Sequence, residues 1–242
     1  RLAEVLSGLG VASVCEAGVG EATTLAPVIE ATSPAVRFAG FDLSLSRLLQ
    51  ARAYLAGQGQ AARLFCADLL RIPLPDNAVD VILTNHGIEP NGGGEAAILQ
   101  ELLRVAARYL VLVEPDFQRG APAQRERMQR LNYVRDLPGH LNRLPGRLVA
   151  DEPWPFAPNP LNRASLLIFE KAGGRAAPSE LRLVAPVTRS ALTSLWNFLD
   201  CPTEGLLYPV PFGIPVLRDD CAIVCSQAAR FAGDERLLAT LP

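Results

Sequence analysis

Val14-Cys15-Glu16-Ala17-Gly18-Val19-Gly20-Glu21 is the stretch that decides how the rest of the chain is read. Its opening residues form a short apolar run of the kind found in a strand covered on both faces of a sheet. Two glycines then follow, and Thr23 to Thr32 has helical spacing, so the order is strand, sharp turn, helix, the first half of a βαβ unit. Gly18 and Gly20 carry no Cβ, which lets the backbone turn tightly and come close to a ligand. A purely structural turn has the same appearance, so this motif alone does not specify a ligand. A pyrophosphate-binding turn requires Gly-x-Gly-x-x-Gly ahead of a helix N-terminus. Here Thr23 stands at the third glycine's position and Glu21 lies beside the loop. An acid there repels pyrophosphate and suits a cationic ligand with an amino-acid part.

The same alternation continues outward from this turn. Strands are expected at Ser13 to Glu16, Phe38 to Asp42, Leu64 to Ala67, Asp80 to Thr84 and Tyr109 to Glu114, with a late one at Leu166 to Glu170. Helices are expected at Thr23 to Thr32, Ser44 to Gly57 (Ser44 as N-cap), Glu95 to Ala107 and Ala121 to Leu137. This pattern predicts an α/β fold, a Rossmann-like sheet with helices on both faces.

Two acids stand at the ends of the expected second and third strands. Asp42, about twenty residues past the glycine turn, is placed to accept both hydroxyls of a ribose; a helix cap is its plainer reading. Asp68, in Cys66-Ala67-Asp68-Leu69, is placed to accept a hydrogen bond from an adenine amino group, or is a loop acid. Taken together, Glu16-x-Gly18-x-Gly20, Gly40-Phe41-Asp42-Leu43-Ser44, Ala67-Asp68-Leu69 and Pro75-Asp76-Asn77-Ala78-Val79-Asp80-Val81-Ile82 resemble the class I S-adenosylmethionine (SAM)-dependent methyltransferases over roughly residues 1 to 171. The chain departs from the family at Ala22, where a third glycine is common. The resemblance implies SAM as cofactor. It also implies that Glu16 anchors the glycine turn and the cofactor's amino group, that Gly18 and Gly20 pass beneath its methionine part, that Asp42 holds the ribose, and that Asp68 and Leu69 frame the adenine. Thr84 to His86 then lie next to the methyl group.

Methyl transfer from a sulfonium asks the protein mainly for alignment and, where needed, for removal of a proton. The loop Thr84-Asn85-His86-Gly87-Ile88-Glu89-Pro90-Asn91 leaves the carboxyl end of the fourth strand, where ligands bind in open α/β sheets. His86 is the candidate general base, with a packing histidine as the alternative. Glu89 is placed to orient a cationic amine, and Asn85 to bond the cofactor or substrate. Gly92 to Gly94 read as a tight turn before the next helix. Glu114-Pro115-Asp116-Phe117 closes the fifth strand at the same sheet edge. Asn159-Pro160-Leu161-Asn162 lies too far downstream to carry the activity that Asn-Pro tetrads mark after a fourth strand.

Beyond Lys171 the texture changes. Residues 172–179 read as a linker, and 180–242 as a small β-rich module with a C-terminal tail. Ala185-Pro186-Val187-Thr188, Leu199-Asp200-Cys201-Pro202-Thr203-Glu204-Gly205, Tyr208-Pro209 and Gly213-Ile214-Pro215-Val216-Leu217 resemble the Trm112-like zinc-ribbon family, partners and activators of several methyltransferases. Such a site needs two Cys-x-x-Cys pairs. Ala185, Thr188, Cys201 and Glu204 occupy those four positions, so no metal is expected; Cys221 and Cys225 read as core or helix.

Composition sets the outer bounds. The 242 residues carry a formal net charge of -2, which gives no electrostatic reason for nucleic-acid binding, and Arg125 to Arg130 reads as a solvated helix face. Five cysteines without a secreted spacing read as reduced, buried thiols of a cytoplasmic protein. No apolar run approaches a membrane span, and no signal peptide opens the chain. The expectation is a methyltransferase acting on an O or N atom of a small-molecule acceptor, with a C-terminal module that packs on the catalytic domain or serves a homodimer interface. The alternatives are a macromolecular acceptor (protein, tRNA or glycan) and a non-catalytic binding protein on the same fold.

Overall fold

The computed structural model describes residues 1–225. The order of elements is α1 (Leu2–Leu9), β1 (Ser13–Ala17), α2 (Leu25–Glu30), β2 (Arg37–Asp42), α3 (Leu45–Gly57), β3 (Arg63–Cys66), β4 (Val79–Asn85), α4 (Glu95–Val105), β5 (Ala106–Pro115), α5 (Pro122–Arg130), α6 (Leu137–Leu141), β6 (Gly146–Pro153) and β7 (Ala164–Lys171), followed by β8 (Thr193–Leu195), β9 (Phe198–Cys201), β10 (Leu206–Pro209) and β11 (Ile223–Val224). The first seven strands form one sheet in the order β3-β2-β1-β4-β5-β7-β6. Pairings among β1 to β5 are parallel, and β7 runs antiparallel to both β5 and β6. Strand order reverses between β1 and β4, so the ligand crevice of such a sheet is expected at their carboxyl ends.

Alternating side chains divide the core between the two faces of this sheet. Cys15, Ala17, Ile82, Leu110 and Leu112 point to the face covered by α4, whereas Val14, Val81, Leu83, Val111 and Val113 pack with Leu2 and Leu6 of α1. Phe41 and Phe65 stack across neighbouring strands at 5.4 Å, which contributes about 1 kcal/mol beyond the area they bury. Ser44 caps α3 by accepting from the Arg47 amide, as its sequence position suggests.

Three sequence expectations need amendment. The helix expected over Ala121 to Leu137 is broken: α5 stops at Arg130, Asn132 and Asp136 take left-handed φ values of 51°, and α6 restarts after the turn. Helices cannot pass through such residues. β6 and α1 add to the expected set; β6 is an exposed, charged edge strand without period-two apolar patterning, the form that discourages edge pairing. Cys15, Cys66 and Cys201 are buried, and Cys221 is half-buried, ends the 3-10 turn Asp219–Cys221 and packs against the cluster around Leu48 and Leu64, whereas Cys225 is half-buried and lies in no helix.

The last four strands make a small antiparallel sheet in the order β11-β10-β9-β8. Its neighbouring segment also closes the edge of the large sheet. The Cys66 amide donates to Pro215 O and the Leu217 amide donates to Cys66 O, both at 2.8 Å, so Val216 runs parallel to the end of β3. Ile214 and Val216 are buried with Leu48, Leu64 and Cys66. The stretch that reads as a linker is tied down as well, through the Ala177 amide on Asp80 Oδ1 and Arg37 on Pro178 O. The tail after residue 225 lies outside the described residues.

Candidate active site

The glycine turn is held by the end of β2. The Gly18 and Val19 amides both donate to Phe41 O at 2.9 Å, and the Gly20 amide donates to Asp42 Oδ2 at 3.0 Å. The other oxygen, Asp42 Oδ1, accepts from the Ser44 amide at 2.8 Å. Asp42 therefore stitches the turn to the start of α3 and keeps further lone pairs toward the cavity. Gly18 and Gly20 have φ values of 74° and 54°, and Ala22, where the family often has a third glycine, keeps a left-handed φ of 62°. The chain thus retains the turn despite an alanine, at a cost of about 1 kcal/mol. A Cβ on Gly18 would lie 2.7 Å from the Gly87 Cα, and one on Gly87 would lie 2.3 Å from Ala17 O. The loops after β1 and β4 meet backbone to backbone at these two positions.

Over this junction lies a cavity of about 470 Å³, within the range of small-molecule sites. Its walls include Gly18, Asp42, Leu43, Asp68, Leu69, His86 and Glu89, seven of the ten residues expected from sequence. Glu16, Gly20 and Asn85 do not line it. Gly20 is covered by the Arg47 guanidinium, which is bonded to Glu21 Oε1 at 3.0 Å, and the Asn85 amide donates to Thr24 Oγ1 at 2.7 Å. Glu16 is buried beneath the turn; its Oε2 has no partner, and burial holds its carboxyl well above the usual range. Sequence reasoning missed Leu70 and Arg47. Leu43 and Leu70 both stand about half exposed at the cavity wall, unusual for leucines at the end of a buried sheet.

The cavity's other end carries the ionisable groups. His86 takes a left-handed φ of 55°, a strained conformation for a non-glycine residue that costs on the order of 1 kcal/mol. Its Nδ1 lies 2.7 Å from Glu89 Oε2, and Asn162 Nδ2 lies 3.2 Å from both. Burial alone would lower the His86 pKa, but the Glu89 bond and the charges of Glu114 and Glu89 outweigh it and raise the value. Glu89 goes the other way. Burial pushes its carboxyl up, and hydrogen bonds from His86, Asn162 and Tyr133 overcome this and hold it below the usual range. Glu114 Oε1 accepts from the Gly87 and Ile88 amides, fixing the loop after β4 to the end of β5. Burial pushes the Glu114 carboxyl up to about 7, against the Thr84 hydroxyl and the His86 charge. Asp116, the other acid of that strand end, is bound to Arg119 and Ser165.

A second cavity, of about 500 Å³, opens at the amino ends of the parallel strands, where Arg108 and Lys171 are already bonded to main-chain carbonyls and Arg147 pairs with Glu170. Its cations are thus spoken for, and it lies at the wrong end of the sheet for an α/β ligand site. Among the described residues, no three His, Cys, Asp or Glu side chains converge as metal ligands, and no helix is long and apolar enough to cross a membrane.

Residues 14–108 match the family model of a methyltransferase domain. The fold is similar to magnesium protoporphyrin IX methyltransferase from Synechocystis PCC 6803, solved with bound S-adenosylhomocysteine, at TM-score 0.56 and 14% identity over 71% of this chain and 80% of that one. It is similar to a SAM-dependent methyltransferase from Aquifex aeolicus at TM-score 0.53 and 18% identity, over 69% and 87% of the two chains. The cyclase SpnF shares the fold too, at TM-score 0.56 and 14% identity over 74% and 82%. None of the curated proteins matches the sequence at a significant level. With its strand order and its stitched glycine turn, the chain has the Rossmann-like α/β fold of these proteins, and its segment 14–108 is similar to a methyltransferase domain.

Proposed function

We propose that the protein transfers a methyl group from SAM to an oxygen or nitrogen of a small-molecule acceptor, with His86 taking the acceptor's proton. The observation that carries this reading is the His86–Glu89 pair at one end of the cavity whose other end presents Asp42, Leu43, Asp68 and Leu70. The residues fit the cofactor. Leu43 and Leu70 offer exposed apolar surface for a planar ring, Asp42 offers unused carboxylate lone pairs for ribose hydroxyls, and the unpartnered Glu16 carboxyl lies under the turn that would carry a cationic amino group. SAM supplies an electrophilic methyl group when bound. The chain's own residues align the acceptor and accept a proton, which is all that such a displacement demands. Because the pKa of His86 is raised, transfer to a hydroxyl increases as pH rises through it and the imidazole becomes free to accept.

For the C-terminal module we further propose descent from the Trm112-like family without its metal. What supports it is that the four positions expected for ligands come together. Ala185 and Cys201 share a buried cluster with Tyr208, while Glu204 accepts from the Thr188 amide at 3.1 Å and from Tyr208 OH at 2.9 Å. A carboxylate thus joins the two turns that metal ligands would otherwise hold.

Calorimetric titration with SAM and S-adenosylhomocysteine tests the main reading. Saturable binding is expected, lost in Asp42→Ala. Since Asp42 also holds two backbone amides, Leu43→Ala is the companion variant; it trims an exposed side chain and weakens binding on the order of tenfold. Absence of binding to folded protein refutes the reading.

A further inference from the structure

The loop Asn159-Pro160-Leu161-Asn162 and the basic helix α5 play no part in the reading above, yet Asn162 reaches His86 and α5 holds Asn162 through Arg127. α5 presents Gln124, Arg127 and Met128 on one face. The buried Gln124 amide bonds Arg163 in both directions, donating to its carbonyl at 2.8 Å and accepting from its N–H at 3.1 Å. Arg127 Nη1 donates to Asn162 Oδ1 at 2.8 Å, and its guanidinium lies 5.1 Å from the centre of the Tyr133 ring. Arg127 is thus not part of a solvated face. Asn159 accepts from the Leu161 amide at 2.9 Å and shapes the single 3-10 turn that delivers Asn162.

Hydrogen-bond logic then fixes the protons. Arg127 is donor only, so Asn162 Oδ1 faces it and the Asn162 amide nitrogen faces Glu89 and His86. Glu89 is ionised at neutral pH, and an ionised carboxylate 2.7 Å from Nδ1 requires the imidazole proton on that nitrogen. A protonated Nδ1 accepts nothing, so the Asn162 N–H goes to Glu89 Oε2. Once pH has risen above the raised pKa of His86 and the imidazole is neutral, the other ring nitrogen, Nε2, keeps its lone pair. The charged and titratable groups facing His86 are Glu89 on its own loop, Glu114 at the end of β5 and Arg127 on α5.

We infer that Arg127 and Asn162 are positioning residues that lock Glu89 and, through it, hold neutral His86 in the Nδ1–H form with Nε2 free as the proton acceptor. The inference rests on His86 being the base, but its test does not require an acceptor substrate. The chain has only two histidines, so His140→Gln assigns their signals in long-range proton–nitrogen spectra of histidine-labelled protein. At a pH above the raised pKa of His86, wild type is expected to show neutral His86 with its proton on Nδ1. Asn162→Ala is expected to lower the ratio of the Nδ1–H to the Nε2–H form roughly fivefold, the worth of one hydrogen bond to the carboxylate. Arg127→Ala, which alters a helix surface, should do the same, and Arg127→Lys, which keeps a charged donor, should restore most of the ratio. A wild-type Nε2–H form, or an unchanged ratio in both alanine variants with normal melting, overturns the inference. Failure of SAM to bind wild type would remove the methyl-transfer reading and leave the tautomer result intact.

Discussion

Replacing Glu114 by glutamine should stabilise the protein at alkaline pH and do little in mild acid. The carboxyl is fully buried, and its pKa is pushed from 4.5 to about 7 chiefly by that burial. A group whose folded pKa lies above its unfolded one contributes its full stability below the unfolded value and loses it as pH rises through the folded value. Here the loss runs between about 4.5 and about 7, because the unfolded chain ionises freely while the folded one must carry a buried charge. The window is worth about 3 kcal/mol, of which about 2 kcal/mol falls between roughly pH 5.5 and roughly pH 8.5. Glutamine keeps the oxygen that accepts from Gly87 and Ile88 and removes the charge; its amide nitrogen takes the place of Oε2, where the Thr84 hydroxyl can accept from it. The difference between the two proteins reports Glu114 together with its coupling to His86, whose pKa the Glu114 charge helps to raise. Thermal melts of both proteins across this pH range are the assay. The variant's melting temperature should gain on wild type by roughly 4–8 °C between the two ends of the range. Parallel pH profiles would show that Glu114 is not ionised against burial, and the account of the loop after β4 would fall with it.

Gly87→Ala should cost about 1–3 kcal/mol, since its Cβ would meet the Ala17 carbonyl rather than a yielding side chain, whereas Gly8→Ala, in the open on α1, should stabilise by about 0.5–1 kcal/mol. Differential scanning calorimetry of the pair checks both signs. Arg218→Ala should weaken S-adenosylhomocysteine binding roughly fivefold in calorimetry, because Arg218 Nη1 donates to Leu43 O at 3.2 Å and steadies the exposed leucine from the C-terminal module. Unchanged affinity would make the module a bystander at the cofactor end.

Much of this protein is legible locally. Val14 to Glu21, Ser44 and the apolar runs of β1 to β5 carry their structure in near-neighbour physics: period, capping, and the freedom of glycine to take positive φ. The residues at the carboxyl ends of those strands follow directly, which is why Asp42, Asp68, His86 and Glu89 could be named from the sequence and come together at one cavity. α1 and β6 escaped because their burial or exposure is set by where the sheet places them, not by their own pattern.

The remaining features depend on contacts between distant segments, for which local sequence holds no signal. Nothing near Asn162 says that it will meet His86, 76 positions earlier, and nothing in the basic run Arg125 to Arg130 says that Arg127, of its three arginines, is the one that bonds Asn162. The edge pairing of Val216 with Cys66 and the backbone contact of Gly18 with Gly87 are of the same kind. Sequence determined the parallel sheet and its glycine turn, because those rest on repeating local preferences. Tertiary structure alone decided which amide holds Glu89, which carboxyls burial pushes up and what covers the edge of β3, because these depend on burial and on partners brought together only when the whole sheet has closed.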